Sequence, residues 1–167
     1  NVLVLKSMKG VRLADFGTAC KPESCTLTPY VCSRYYRAPE IIMGLTYGPP
    51  ADMWSVGCTL YELYTGHILF KGETNNHMLK LMMALKGKFT HKLIKVAEFG
   101  EKHFDDSFAF LETSIDPISK KAVVKRVPHI QTLVDLKALL RVDECRSLDE
   151  KQKVLQLAHL LDACLYL

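Results

Sequence analysis

The run Asp52-Met53-Trp54-Ser55-Val56-Gly57-Cys58-Thr59-Leu60-Tyr61-Glu62-Leu63-Tyr64-Thr65-Gly66 constrains the chain more than any other. It reads as one long helix. Pro49 and Pro50 stand just ahead of it, where a helix starts without losing hydrogen bonds. Asp52 falls in the first turn, where negative charge suits the helix dipole, and Gly66 is a natural stop. Apolar or aromatic side chains at Met53, Trp54, Val56, Leu60, Tyr61, Leu63 and Tyr64 leave only a thin polar strip. That pattern predicts a helix buried nearly all round and running through a core. Each large side chain buried there contributes about 1.5–3 kcal/mol. The 167 residues are enough for one domain with one sizeable core, and 49% hydrophobic residues argue against a disordered chain.

The rest of the chain supplies elements to pack on that rod. Val2–Leu5 and Val11–Ala14 are short β runs joined by a turn, so the start reads as a hairpin. Asp15-Phe16-Gly17 follows directly. Residues 18–30 are polar, contain Pro22 and Pro29 and lack periodicity; a loop of that length inside a compact domain is usually functional. Pro39 opens a short helix that Gly44 ends. Leu69-Phe70 caps the far end of the long helix. Asn75–Leu85 is an amphipathic helix with Asn75 or Thr74 as N-cap and Gly87 as stop, and a second short helix covers His91–Ala97. Phe108–Ile115 and Ala122–Val127 read as β runs around an Asp116-Pro117 turn. Thr132–Leu140 and Leu148–Leu167 read as helices, the latter with Val154, Leu157, Leu160, Leu161 and Leu165 on its apolar face. The expected fold class is mainly α with two small hairpins, in one domain over residues 1–167.

Charge and cysteines narrow the setting. A net charge of +4 permits anionic partners without demanding nucleic acid. Lys120-Lys121 and Lys125-Arg126 read as solvated hairpin positions. The six cysteines (Cys20, Cys25, Cys32, Cys58, Cys145 and Cys164) lack close paired spacing, which favours free thiols in a reducing, intracellular compartment. No apolar run is long enough to span a bilayer. The chain begins at Asn1 and ends in the apolar run Leu160–Leu167, which reads as a piece of a longer protein whose apolar end is partly exposed.

Asp15-Phe16-Gly17, then Ala38-Pro39-Glu40, then Asp52-Met53-Trp54-Ser55-Val56-Gly57 resembles the ordered signature of the eukaryotic protein kinase C-lobe. Asp-Phe-Gly alone is a chance tripeptide in many proteins; all three motifs in order behind a hairpin are specific. Phosphoryl transfer from ATP needs divalent metal to bridge and neutralise the phosphates. By the resemblance, Asp15 is an Mg²⁺ ligand at the end of a strand, Gly17 lets the backbone turn beside it, and Phe16 completes the motif. Asn1 resembles the Asn that closes the catalytic loop and holds the second metal. Leu3 resembles the apolar residue flooring the adenine pocket. ATP and Mg²⁺ are therefore the implied cofactors.

Residues 18–37 resemble an activation segment. Thr28-Pro29-Tyr30-Val31-Cys32-Ser33-Arg34 is similar to the tyrosine-activated members of the CMGC group, which makes Tyr30 the implied phosphorylation site. Its competitor is a plain exposed loop tyrosine. A phosphate there adds about −1.5 to −2 charge, which Arg34 and Arg37 would pair bidentately. Ser33 stands where Ser/Thr kinases carry a small hydroxyl near the substrate hydroxyl, so the implied substrates are protein Ser or Thr. Glu40 and Asp52 are structural by the resemblance, and both are expected to be partly buried. Asn75-Asn76-His77-Met78 and the run to Phe70 resemble the pre-mRNA-processing branch, related to the dual-specificity tyrosine-regulated kinases. That branch implies splicing factors as protein partners, a nuclear location, no direct nucleic-acid contact and no membrane. Lys71 departs from the group's usual Pro. Residues 107–126 resemble the group's inserted segment.

No Gly-x-Gly-x-x-Gly loop and no His-Arg-Asp catalytic loop occur in the 167 residues. The resemblance thus implies a parent Ser/Thr kinase whose N-lobe and last helices lie outside this stretch, and a catalytically silent stretch by itself. The competing expectation is a truncated or pseudokinase-like binding module, using the Asn75–Leu85 helix or the Ser107–Arg126 hairpin. Nucleic-acid binding has only the mild charge behind it.

Overall fold

Pro49 and Pro50 form the first turn of the central helix α1, Pro49–Thr65, with Gly48 as N-cap. Gly66 ends it in the left-handed region, at φ 74°, where glycine bears no Cβ penalty. The computed structural model describes residues 2–24, 27–132 and 135–167. In chain order around the central helix lie β1 (Val2–Val4), β2 (Val11–Leu13), the short helix α2 (Pro39–Met43), α3 (Asn75–Lys86), α4 (His91–Val96), β3 (Phe110–Ile115), β4 (Ala122–Val127), α5 (Leu136–Leu139) and α6 (Leu148–Cys164). The mainly α class with two small antiparallel hairpins is as expected.

The central helix is not buried all round. Ala51, Trp54, Gly57, Cys58 and Tyr61 face the core. Trp54 stacks on Phe70 with ring centroids 5.5 Å apart. Gly57 permits the close approach of α6: a Cβ there would lie 2.9 Å from Cys164 Cβ and 3.1 Å from Leu165 Cδ2. The opposite side, Met53, Val56, Leu63 and Tyr64, is exposed, Leu63 at 76%. Composition counted apolar residues around the whole helix. Only one stripe, at 51, 54, 57, 58 and 61, is buried, with Leu60 packed half-buried beside it.

α3 supplies the second half of the core through Met78, Leu79, Met82, Met83 and Leu85. Thr74 is its N-cap, accepting from His77 N–H at 3.1 Å. This settles the choice of cap and makes α3 a packing helix. Gly44 closes α2 at φ 72°, and a Cβ there would sit 2.6 Å from Phe99 Cδ2. Ser147 caps α6, whose inner face is Val154, Ala158 and Leu161; Leu165 is buried just beyond, while Leu160 and Tyr166 are exposed. No described helix is long and apolar enough to cross a membrane. The described cysteines, Cys20, Cys32, Cys58, Cys145 and Cys164, are free thiols.

Several boundaries move from the sequence expectation: the central helix takes in Pro49 and Pro50 rather than starting after them, and most other ends shift by one residue. The strand expected from Phe108 begins at Phe110, because Phe108 sits at φ 61° and Ala109 N–H turns to Asp105 Oδ1 at 2.9 Å. Of the helix expected over Thr132–Leu140, Leu133 and Val134 lie outside the described residues, and the described helix is Leu136–Leu139, capped by Asp135 accepting from Lys137 N–H. α6 stops at Cys164 rather than Leu167.

The second hairpin is fixed to α3 by a buried amide. Asn76 Nδ2 donates to Leu111 O at 2.8 Å and Asn76 Oδ1 accepts from Thr113 N–H at 2.9 Å. With that amide orientation Asn76 Nδ2 also donates to His103 Nδ1 at 3.1 Å, so the neutral ring carries its proton on Nε2. Lys80 pairs with Glu112 alongside. Burial, with a smaller push from Lys102, lowers the His103 pKa to about 4. The unfolded His binds its proton near pH 6.5 and the folded one only near 4, so the neutral ring's stability is complete above 6.5 and lost as pH falls through about 4. Urea unfolding should therefore show at most about 3 kcal/mol less stability below this window than above it. His103→Gln should flatten that part of the profile; an unchanged slope between pH 6.5 and 4 would refute the assignment.

Candidate functional site

The first hairpin presents Asp15. β1 and β2 pair antiparallel with Val2 opposite Leu13 and Val4 opposite Val11, so the ladder closes two residues before Asp15. Val2, the neighbour of Asn1 in sequence, stands at that end; Asn1 itself lies outside the described residues. Asp15 adopts φ 65°, a left-handed turn that Asp tolerates better than most residues. The turn directs the chain from strand into loop, and Asp15 is solvent-exposed there. Gly17 leaves room beside it: a Cβ there would meet Asp15 Oδ1 at 3.4 Å. Phe16 is 67% exposed and Leu3 is exposed on β1, so neither is packed among the described residues.

An exposed carboxylate on a fixed strand end suits a hard divalent cation. Among the described residues no three His, Cys, Asp or Glu side chains converge to hold a metal by themselves. Mg²⁺ ordinarily takes one or two carboxylates and fills its other positions with water and phosphate oxygens, so the donor set fits.

The other end of the loop is held rigidly. Arg37 is only 6% exposed. Its Nε donates to Val31 O at 3.0 Å, Nη2 to Cys32 O at 2.9 Å and Nη1 to Asn75 Oδ1 at 2.6 Å. Asn75 Nδ2 in turn donates to Pro29 O at 3.0 Å. The guanidinium and the first residue of α3 thus clamp residues 29–32 from both sides. Cys32 is held at φ 56°, a conformation costing about 1–2 kcal/mol for a residue with a side chain. Burial pushes its thiol pKa up, against the opposing effect of Arg37. Tyr30 is 75% exposed, with its ring 5.7 Å from Arg37 Cζ. Arg34 Nη1 donates to Glu73 O at 2.6 Å, while the side chain stays exposed. Ser33 is exposed at the start of the turn Arg34–Tyr36.

The central helix anchors that turn. Ser55 Oγ donates to Tyr36 O at 2.7 Å and Tyr36 Oη donates to Glu62 Oε2 at 2.5 Å. The Glu62 carboxylate holds the Tyr36 phenol up at about 12. Glu40 is half-buried, and burial pushes its carboxyl pKa up. Asp52, expected to be partly buried, is exposed: it occupies the solvent side of the first turn of α1, between Ala51 and Trp54, which face inward.

The structure thus brings Tyr30, Arg37 and Asn75 together, with Ser33 and Arg34 on the following turn. Asp15 and Leu3 stand apart on the first hairpin. Asn75 was missed as a loop anchor because Asn before a helix reads first as a cap; the signal was the neighbouring Thr74, a better cap, which frees Asn75 for another partner.

Comparison with known proteins matches residues 1–152 to the protein kinase domain family. The chain is 45% identical to the serine/threonine-protein kinase prp4 of Schizosaccharomyces pombe, over all of this chain and 35% of that protein. It is 39% identical to the serine/threonine-protein kinase prpf4B of Dictyostelium discoideum, over 98% of this chain and 20% of that protein. It is 33% identical to the DYRK-family kinase pom1 of S. pombe, over 92% of this chain and 14% of that protein. The chain spans about a third of the first relative's length and less of the other two.

Proposed function

We propose, from the fact that this chain belongs to the protein kinase domain family, that it forms the metal-binding turn, activation segment and central helix of a kinase transferring the γ-phosphate of ATP to protein Ser or Thr. The observation that supports this most is the loop running from Asp15, on a strand end, to the Arg37–Asn75 clamp beside the Ala-Pro-Glu helix. Asp15 and Asn1 would hold Mg²⁺ on the ATP phosphates, and the ion neutralises charge there. Leu3 would line the adenine site. Ser33 and Arg34, exposed on the turn after the clamp, would face the substrate segment.

Tyr30 is proposed as the phosphorylation site. Its exposure lets it enter another active site. Arg37 is already committed to Val31, Cys32 and Asn75, so Arg34 is the better placed to pair a phosphate. On the resemblance of its motifs to the pre-mRNA-processing branch, splicing factors are proposed as protein partners and the nucleus as the setting.

The 167 residues contain no Gly-rich phosphate loop and no His-Arg-Asp base, the groups that complete the transition-state environment. The test is a phosphotransfer assay with ATP, Mg²⁺ and a basic protein substrate, run on the full-length protein and on this chain alone. Phosphorylation by the full-length protein and none by the chain is expected. Activity of the chain alone would overturn the division of labour, and an inactive full-length protein would favour the binding-module alternative.

A further inference from the structure

We propose that the outer edge of β4 is a docking strand for an extended acidic segment of a partner protein, which adds to the hairpin as a third strand. Backbone geometry comes first. Leu111 N–H donates to His103 O at 2.8 Å and Thr113 N–H to Asn76 Oδ1 at 2.9 Å, so these residues of β3 point their peptide groups away from β4. In an antiparallel ladder the residues opposite them point theirs away as well. Those residues are Arg126, Val124 and, across from Ile115, Ala122.

The two edges are therefore treated differently. α3 covers β3, with the Asn76 amide accepting from one peptide and donating to the next as a neighbouring strand would. The N–H and C=O groups of Ala122, Val124 and Arg126 have no partner among the described residues, and all three residues are exposed. Ile115 and Val124 share one face of this sheet and both are exposed; Ile118 at the tip is 91% exposed. A free edge with aliphatic side chains beside it is the template for strand addition.

Charge selects the occupant. Glu112 is paired with Lys80, and Arg126 Nε donates to Asp105 Oδ2 at 2.6 Å. The Asp116 carboxylate accepts from the Ile118 and Ser119 N–H groups of the turn. Lys120, Lys121 and Lys125 are in no ion pair among the described residues. The uncompensated charge along the edge is thus positive. A second copy of this chain would bring both sets of lysines to one seam, and like charges across strands destabilise pairing. An acidic strand alternating with aliphatic residues fits both the charge and the apolar face.

The test uses the full-length protein and a fluorescent peptide alternating Val and Glu, with a Val–Lys peptide as control. Binding of the Val–Glu peptide alone, weakening with salt, and slowed amide exchange at Val124 and Arg126 are expected. Val124→Pro removes an outward N–H that the hairpin ladder does not use and blocks the edge, and should weaken binding by at least about tenfold. Val124→Thr should leave binding within about twofold, the scale of a conservative exposed change. Converting Lys120, Lys121 and Lys125 to Glu should switch preference to the Val–Lys peptide. Unaltered binding by Val124→Pro, no binding of either peptide, or peptide-free dimerisation that Val124→Pro abolishes would each overturn the proposal. Kinase activity does not enter these readouts, so their failure is separate from failure of the kinase assignment.

Discussion

Replacing Asp15 with asparagine in the full-length protein is expected to lower kcat on the order of 10³-fold with the melting temperature unchanged. A metal ligand that stabilises developing charge on a transferring phosphoryl group is worth several kcal/mol, and about 4 kcal/mol corresponds to that factor. Asparagine is the informative substitution. Asp15 sits at φ 65°, where Asn is tolerated and alanine is strained, so Asp15→Ala mixes a backbone effect with the charge effect. Asp15 is also exposed, so the substitution leaves no cavity in the core. The loss should fall on kcat and on the Mg²⁺ dependence, with nucleotide binding in the absence of metal nearly unchanged. A variant with normal kcat would remove Asp15 from the metal site and with it the main chemical reason for reading this hairpin as part of an ATP site.

What the sequence made legible follows from where local rules act alone. Pro49, Gly66, Thr74 and Gly87 carry their own stop and start chemistry, so the helices they bound lie where those residues put them, give or take a residue or two. The hairpins follow from alternation and turn residues. Burial is different, because it depends on what arrives from elsewhere in the chain. Met53, Val56, Leu63 and Tyr64 look like core residues by composition, yet they are exposed while Trp54, Cys58 and Tyr61 are buried. Asp52 was assigned partial burial by resemblance and lies on the solvent side of the same helix. The loop shows the same division. The grouping of Tyr30 with Arg37 is visible in the sequence, and the ring lies 5.7 Å from Arg37 Cζ, but the partners of Arg37 are not, since Val31 and Cys32 contribute backbone oxygens and Asn75 lies 38 residues away. Backbone acceptors leave no mark in a sequence.

Arg37→Lys is accordingly expected to behave almost as badly as Arg37→Ala. The guanidinium is a planar fork with donors in fixed directions, and here three of its nitrogens reach three separate acceptors: Val31 O, Cys32 O and Asn75 Oδ1. An ammonium is a point charge on a flexible stem and reaches one or two of them. Truncation to alanine strands two peptide carbonyls and the Asn75 amide in a site where Arg37 is 6% exposed, at about 1–3 kcal/mol for each acceptor left unpaired. Water entering the gap offsets part of this, which places the loss near about 3 kcal/mol, within the range for breaking a buried charged hydrogen-bond group. Cys32 adds a local consequence. Its left-handed conformation persists because Arg37 holds its carbonyl, so without the clamp residues 29–33 should relax toward extended backbone. Limited proteolysis should then cut between Pro29 and Arg34 in both variants and not in the wild type, with α1 and α3 still protected from amide exchange. The Asn75→Ala variant should open the same segment to a smaller degree, because it removes only the links to Pro29 and to one guanidinium nitrogen. Equal protease resistance in Arg37→Lys and wild type would mean that charge, rather than the fork, holds the segment.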